Sequence, residues 1–205
     1  MKGIFITIEG GDGSGKSTQI ELIKRYVTEH GHDVVLTREP GGTRISEAIR
    51  ELVLDKSLSE MTDMTEALLY AASRAQHTET YIVPNLIAGK VVICDRYVDS
   101  SIVYQGIARG LGDSVRIINE YATNHLTPDL TILLDLSHGE SMERKKGQKE
   151  LDRLEMEEAR FHEKVSDGYR QLAHEYPERI LRIDASLPIE KIHDMIVQKL
   201  KQLID

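Results

Sequence analysis

The chain has 205 residues, and 34 acidic side chains against 26 Lys and Arg give it a formal net charge of −8. That length suits one domain with a full core, and the negative charge argues against a general nucleic-acid-binding protein, so an anionic substrate would need locally gathered cations. No apolar run reaches the roughly 18 residues of a membrane span, and Met1 leads directly into a strand-like segment, so we expect a cytoplasmic protein with no membrane partner.

Strand-like and helix-like segments alternate along the chain. Apolar, β-branched runs, too continuous for one-sided strands, predict buried parallel strands over 3–9, 33–38, 90–95, 130–136 and 179–184. Helical spacing predicts helices over 16–30, 45–53, 65–78, 115–124, 154–174 and 189–203. This order predicts a single α/β domain, residues 1–205, whose sheet is covered on both faces. Cys94, the only cysteine, lies within a strand run and is expected to be a buried, inert thiol.

A glycine-rich segment, GGDGSGKS, follows the first predicted strand and precedes the first predicted helix. It matches the phosphate-binding pattern G-x-x-x-x-G-K-[ST], in which backbone N–H groups and the helix N-terminus surround phosphates. Its glycines permit close backbone approach, Lys16 can reach β and γ oxygens, and Ser17 offers a hydroxyl to Mg²⁺. The segment predicts nucleotide binding, although the acidic Asp12 inside an anion-binding loop requires an explanation.

The loop alone fits an enzyme, a guanine-nucleotide switch or a motor. Guanine-specific switches carry an N-K-x-D motif, and the sequence contains no Asn-Lys dipeptide. A motor usually needs partner domains or a basic track for its polymer, neither of which the sequence shows. A small-molecule kinase is the remaining interpretation.

A kinase with a phosphorylated acceptor needs a second group of cations, because two polyanions must be aligned for in-line transfer. Asp95 and Arg96 follow the third strand run, at the carboxyl edge where open α/β sheets bind ligands. Asp95 would hold Arg96 or bind Mg²⁺ through water, with a plain strand-end salt bridge as the alternative. Arg50 and Arg74 lie on polar sides of predicted helices, where a lone arginine is more often solvated. Tyr70 shares a helix face with Arg74, so both could contact one ligand. Considered without a family resemblance, Tyr70 is more simply interpreted as a core residue.

Several ordered motifs resemble those of the thymidylate kinases, namely IEGGDGSGKST, TREPGGT, EALLYAASR, DRYVDSSIVYQG, PDLTILLD and LDRLE. The likeness runs from about Ile4 to Ile196, and TREPGG together with DRYxDSSxxYQG is more specific than the phosphate loop. It implies a P-loop NTPase-type α/β/α fold with three layers, a five-stranded parallel sheet, a helical lid at about 139–155, and usually a homodimer built through helix packing. It also implies transfer of the γ-phosphoryl group of ATP to dTMP, with Mg²⁺, giving dTDP and ADP for dTTP synthesis and DNA replication.

The resemblance also implies a role for individual residues. ATP would be bound by Gly10, Gly11, Asp12, Gly13, Ser14, Gly15, Lys16, Ser17 and Arg144. The dTMP site would comprise Asp12, Arg50, Tyr70, Arg74, Arg96, Ser101, Tyr104 and Gln105. Catalysis would rest on Lys16, Arg96, Arg153 and Asp95, and the metal would be held by Ser17 and by Asp95, the latter directly or through water.

Within the implied dTMP site, the three arginines at 50, 74 and 96 would hold the phosphate, and Tyr70 would lie under the thymine, where the family commonly has Phe. Ser101 and Gln105 would contact the pyrimidine edge, because an amide can donate and accept. Tyr104 would pack on the sugar. Asp12 would accept from the 3′-hydroxyl of dTMP, or orient an arginine or a Mg²⁺-bound water.

The family divides according to where a transition-state arginine lies, either in the phosphate loop at the position of Gly13 or in the lid. This chain has Gly13 and a charge-dense segment, 143–155, that contains Arg144, Lys145, Lys146, Lys149 and Arg153. The resemblance therefore implies that Arg153 is the catalytic lid residue. We expect 143–155 to be a mobile surface segment, with a solvated charged helix as the alternative for its lysines.

Two other functions stay open from the sequence. A deoxynucleoside kinase would use a hydroxyl acceptor and a general base, and would offer no phosphate to Arg50 and Arg74. A non-enzymatic nucleotide-dependent interaction module would bind ATP and form no product with any monophosphate.

Overall fold

The computed structural model describes residues 3–145, 153–154 and 156–204. One sheet contains the strands β1 Ile4–Glu9, β2 Val34–Arg38, β3 Val91–Asp95, β4 Leu130–Asp135 and β5 Ile180–Asp184. Their order is β2-β3-β1-β4-β5, and every neighbouring pair is parallel. The five predicted strands and their parallel arrangement are confirmed.

The sheet is flanked by the helices α1 Lys16–Glu29, α2 Arg44–Leu54, α3 Asp63–His77, α4 Val83–Ile87, α5 Val98–Ser101, α6 Asp113–Ala122, α7 His138–Lys145, α8 Ala159–Glu175 and α9 Ile189–Ile204. Two π-helical segments, Thr78–Ile82 and Ile102–Ala108, continue α3 and α5. Among the residues that the structure describes, no helix combines the length and apolar content needed to cross a bilayer.

The central strand β1 packs on both faces because successive side chains of a strand point in opposite directions. Ile6 and Ile8 join one buried cluster with residues of α1 and α9, such as Ile23 and Ile196. Phe5 joins a second cluster on the opposite face. A third cluster lies between β4, the π-helical segment 102–108 and α8. The result is the three-layer α/β/α architecture that the sequence predicted.

Local side-chain chemistry explains several helix starts. Thr43 and Thr62 each accept a hydrogen bond from a backbone N–H three residues further on, which caps α2 and α3. Ser137 and Glu140 form a reciprocal capping box at the start of α7, with backbone-to-side-chain bonds of 3.3 and 3.4 Å. The resemblance implied a helical lid at about 139–155, which overlaps α7, and the S-x-x-E pattern in the sequence marks the start of this helix.

The long helix predicted over 154–174 begins later, at Ala159. The backbone of Glu158 is extended, with φ −61° and ψ 154°, so the residues before it cannot belong to the helix. The predicted mobile segment 143–155 is partly outside the described ranges, namely 146–152 and 155. In its described part, α7 covers the first residues, and the side chain of Arg153 is only 12% exposed. Cys94 is buried as predicted, and burial raises the pKa of its thiol.

Candidate active site

A cleft of about 730 Å³ lies at the carboxyl edge of the sheet, where β1 and β3 end. It brings together most of the predicted site residues, which come from six separate parts of the chain. The predicted residues that line it are Asp12, Gly13, Gly15, Lys16, Ser17, Arg50, Tyr70, Arg74, Asp95, Arg96, Ser101, Tyr104, Gln105 and Arg144. Gly10, Gly11, Ser14 and Arg153 do not line it.

The phosphate loop turns sharply from β1 into α1. Gly10 has φ +135°, and a side chain there would collide with the carbonyl oxygen of Leu134. The buried ammonium of Lys16 donates to the carbonyl oxygens of Gly10 and Gly11, at 3.1 and 3.0 Å. Burial lowers the pKa of Lys16, with the neighbouring charge of Arg96 acting in the same direction. The loop therefore places a buried, desolvated cation beside a sharply turning backbone. This arrangement suits the binding of a polyphosphate.

Asp12 forms an ion pair with Arg96, a member of the second group of cations. Arg96 donates from Nη2 to Asp12 Oδ1 at 3.0 Å, while Lys16 Nζ lies 3.8 Å from the same oxygen. Of the contacts considered for Asp12, the structure shows the one with an arginine, Arg96. The carboxylate in the donor loop thus holds the cation at the end of the neighbouring strand.

Arg96 is positioned through an unusual backbone and three side chains. Its φ is +68°, in the left-handed region that costs a non-glycine residue on the order of 1 kcal/mol or more. Its Nη1 donates to Ser100 Oγ at 3.2 Å and to Tyr169 OH at 3.3 Å, and its guanidinium lies 5.4 Å from the ring centroid of Tyr104. Arg96 pairs with Asp12 rather than with its chain neighbour Asp95, so the interpretation of Asp95 and Arg96 as a strand-end salt bridge is wrong.

Asp95 lies in the cleft with an unused acceptor. Its Oδ1 is buried and has no hydrogen-bond partner. Buried carboxylate oxygens normally accept hydrogen bonds, so an orphaned one beside a phosphate loop fits a metal-bound water. The described residues contain no cluster of three or more His, Cys, Asp or Glu that could hold a metal by itself.

Glu9, the last residue of β1, lies directly beneath this region and was missed by the sequence analysis. Its buried carboxylate accepts from the backbone N–H of Tyr97, from Ser100 Oγ and from Tyr169 OH, at 2.8, 2.6 and 2.8 Å. Burial raises the pKa of Glu9 to about 7, with the charge of Asp99 as the next cause. An acidic residue at the end of an otherwise apolar strand was the signal that could have identified it.

Arg74 is buried rather than solvated, with 2% exposure. Its Nε donates to Glu39 Oε2 at 2.7 Å, its Nη2 to the carbonyl of Tyr97 at 2.9 Å, and its Nη1 to Ser101 Oγ at 2.9 Å and to Asn119 Oδ1. The expectation of a lone solvated arginine is therefore wrong, because the buried carboxylate of Glu39 requires a cation beside it. Glu39, which lines the cleft, is a further residue that the sequence analysis missed.

The remaining predicted dTMP residues form the walls. Arg50 donates from Nη1 to the carbonyl of Pro40 at 2.9 Å, which turns its guanidinium towards the TREPGG segment. Tyr70 and Tyr104 are both 8% exposed, so each offers only a small part of its ring to the cleft. These rings are therefore mostly core, with one accessible edge or face.

Gln105 is fixed by Glu66, a residue that the sequence analysis did not single out. Gln105 Nε2 donates to Glu66 Oε1 at 2.8 Å, and Glu66 is 1% exposed. Arg153 donates to Glu66 Oε2 at 2.6 Å and to the carbonyl of Val53 at 3.0 Å. The structure thus does not bring Arg153 to the phosphate loop, because the buried carboxylate attracts it. Arg144 does line the cleft, and it donates to the carbonyl of Ala185 at 2.9 Å.

Comparison with known proteins gives a consistent set of relatives. Residues 8–196 match the family model described as thymidylate kinase. The thymidylate kinase of Exiguobacterium sibiricum is 51% identical over 193 residues, which cover 94% of this chain and 91% of that protein. The thymidylate kinase of Geobacillus sp. strain WCH70 is 47% identical over 208 residues, covering 100% and 99%. A crystal structure of thymidylate kinase from Ehrlichia chaffeensis has a TM-score of 0.79 at 32% identity and covers 98% of this chain and 99% of that one.

Proposed function

The chain belongs to the thymidylate kinase family, and we propose that its cleft holds dTMP between α3 and the phosphate loop, with ATP on the loop itself. The enzyme transfers the γ-phosphoryl group of ATP to dTMP and forms dTDP and ADP, a step in dTTP synthesis. The observation that carries the site assignment is the hydrogen bond of 3.0 Å between Arg96 and Asp12, which ties the acceptor side of the cleft to the donor loop. Two phosphate groups held on either side of that bond would be close enough for direct transfer.

In the acceptor site, Arg96 and Arg50 would bind the dTMP phosphate, since both line the cleft. Arg74 would assist them, and its bond to Ser101 also puts it beside a residue assigned to the pyrimidine edge. Tyr70 would stack on the base. Tyr104 would pack on the sugar, so that a 2′-hydroxyl is disfavoured.

In the donor site, Lys16 and the loop amides would hold the β and γ phosphates of ATP. A phosphate acceptor is already anionic, so positioning and charge neutralisation carry this reaction and no strong base is required. We infer that Mg²⁺ accompanies ATP, held by the Ser17 hydroxyl and, through water, by the orphaned oxygen of Asp95. Bound there, Mg²⁺ would neutralise phosphate charge that develops during transfer.

The lid would comprise about residues 139–155 of one domain, residues 1–205. Arg144 already lines the cleft, so we propose that it contacts ATP. Arg153 remains our candidate for the catalytic lid arginine, although in this structure it is anchored on Glu66. A closed lid would also exclude water, so that ATP is not simply hydrolysed.

An ADP-release assay with each nucleoside monophosphate as acceptor tests the function. We expect turnover with dTMP that exceeds turnover with the other monophosphates. Turnover of thymidine without dTMP turnover would favour a deoxynucleoside kinase. ATP binding without any product would favour the nucleotide-dependent interaction module.

We also propose a homodimer formed by α2, α3 and α6. These helices pack against one another and carry large apolar side chains that are 39% to 79% exposed, namely Ile45, Leu52, Met64, Leu68, Ile117 and Tyr121. An apolar patch of this kind on an otherwise charged protein marks an interaction site, and a second copy of the chain would cover it symmetrically. Sedimentation equilibrium should give twice the chain mass, and Leu68→Lys should reduce it to the mass of one chain. We further propose a cytoplasmic location, because the reaction consumes ATP for DNA synthesis, and cell fractionation tests it.

A further inference from the structure

One buried carboxylate serves both the base end of the cleft and the end of the lid. Glu66, on α3, accepts a hydrogen bond at Oε1 from Nε2 of Gln105, at 2.8 Å. Its other oxygen, Oε2, accepts from Arg153 at 2.6 Å and from Arg109 at 3.1 Å. Gln105 lines the cleft and Glu66 does not. Of the described side chains that bond to Glu66, Gln105 is the one that lines the cleft, so Gln105 links Glu66 to a bound base.

The charge of Glu66 dictates which way the Gln105 amide faces. Burial would raise the pKa of Glu66, but the hydrogen bonds from Gln105 and Arg109 outweigh it and hold that pKa below its ordinary value. An ionised carboxylate has only acceptors. Gln105 must therefore present its amino group, Nε2, to Glu66. The reversed amide would place two acceptor oxygens against each other in a buried site, which is costly.

With Nε2 directed at Glu66, the amide oxygen of Gln105 is the end turned away from it. A pyrimidine edge that meets this oxygen must offer a donor. The N3–H of thymine or uracil is a donor. N3 of cytosine is an acceptor, so its lone pair would face a lone pair of the Gln105 amide oxygen. At the N3 position, the orientation of one amide thus distinguishes the two classes of pyrimidine.

We propose that Glu66 is a specificity-positioning residue that fixes the Gln105 amide for pyrimidines carrying an N3–H, an inference that rests on the proposed dTMP site. Arg109 and Arg153 keep the carboxylate ionised and in place.

The test compares Glu66→Gln with wild type by measuring dissociation constants for dTMP and for dCMP by calorimetry. The amide introduced at position 66 can either accept a hydrogen bond from Gln105 or donate one to it. The Gln105 amide can therefore reverse and offer its amino group to N3 of cytosine. We expect the preference for dTMP over dCMP to fall by about tenfold or more, the size of one hydrogen-bond mismatch. If Glu66 had only a structural role, the substitution would weaken the binding of dTMP and of dCMP by the same factor. The ratio of the two dissociation constants would then stay unchanged.

Asp63→Asn is the matched control. Asp63 lies on the same helix and pairs with Arg109 at 3.4 Å, but it is 49% exposed and does not contact Gln105. It loses a carboxylate charge beside the same arginine, and the dTMP to dCMP ratio should stay at the wild-type value. An equal fall in this control would overturn the proposal, since the effect would then come from the loss of charge alone.

A second variant, Glu66→Asp, covers the case in which Glu66→Gln does not fold. It keeps the charge for the two arginines but is one methylene shorter, so it should release Gln105 and also lower the ratio. An unchanged ratio in either folded Glu66 variant contradicts the proposal. The proposed function fails separately, if wild-type enzyme shows no dTMP turnover in the ADP-release assay.

Discussion

The two ends of the cleft are built in different ways. At the phosphate end, a short loop supplies glycines, Lys16 and Asp12, and the Asp12 side chain is still 41% exposed. At the base end, where the base of dTMP is proposed to lie, Arg74 and Glu66 are 2% and 1% exposed and bond to residues 23 to 87 positions away in the chain. The phosphate end can therefore adapt its charges to a ligand, whereas the base end is fixed by the packing of the fold. Substitutions should accordingly affect mainly activity at the first end, and stability as well as ligand binding at the second.

The strongest test of this difference is Arg96→Ala at the phosphate end. Loss of an arginine that neutralises transferring phosphoryl groups should lower kcat/KM for dTMP by about 10³-fold or more. Its partner Asp12 is partly exposed and can be solvated, so the urea midpoint should hardly move. A stability loss as large as the activity loss would remove the distinction between the two ends.

Arg74→Met at the base end should lower stability as well as dTMP binding. It leaves the carboxylate of Glu39 buried at 4% exposure without its arginine partner. Breaking a buried pair in this way costs about 3–5 kcal/mol, which urea unfolding can measure. Unfolding that matches wild type would mean that the base end is no more rigid than the phosphate end.

Glu9, beneath the phosphate end, should make stability depend on pH. Its pKa in the folded state is about 7, above the ordinary 4.5, so the folded protein binds more protons than the unfolded chain between those values. Its contribution is therefore fully present below pH 4.5 and is lost as pH rises through 7. Relative to Glu9→Gln, wild type should lose up to about 3 kcal/mol of unfolding free energy between pH 5 and pH 8. Parallel stability curves for the two proteins would contradict the raised pKa.

Arg153→Ala tests whether the lid arginine acts at the phosphates. We expect kcat to fall by about 10²-fold, comparable with loss of a catalytic charge donor. If Arg153 only anchors the lid on Glu66, the KM for dTMP should rise while kcat stays unchanged. Arg144→Ala, measured in parallel, shows whether the cleft-lining arginine carries that role instead.

The smallest effect is expected for Asp12→Asn. Loss of the charge that holds Arg96 should lower kcat/KM for dTMP by about tenfold, the value of a hydrogen bond to a charged group. Affinity for ATP, measured by calorimetry, should change much less, because Lys16 and the loop amides remain. Equal losses for both substrates would show that the carboxylate only shapes the loop.

The loop at the phosphate end could be predicted from the sequence, because one continuous segment forms it. The strand, the glycine pattern and Lys16 dictate the loop by local steric rules, and they depend little on the rest of the fold. The predicted cleft residues at the base end, such as Tyr70 and Gln105, came from the family resemblance rather than from spacing. Glu39, the partner of Arg74, and Glu66, the partner of Gln105, went unpredicted, since an acidic residue in a loop or on an amphipathic helix gives no sign of burial.

The sequence by itself determined the order of strands and helices, the parallel sheet and the phosphate loop, since these depend on hydrophobic periodicity and on local backbone chemistry. Only the tertiary structure decided that Arg74 is buried, that Arg96 pairs with Asp12, and that Arg153 lies on Glu66 instead of the phosphate loop. At Arg74 and Arg153 the outcome depends on which carboxylates the packing removes from water, whereas at Arg96 it is the arginine that is mostly buried. A buried charge must find its partner among whichever residues the fold brings near, and that choice is not encoded in any short stretch of the chain.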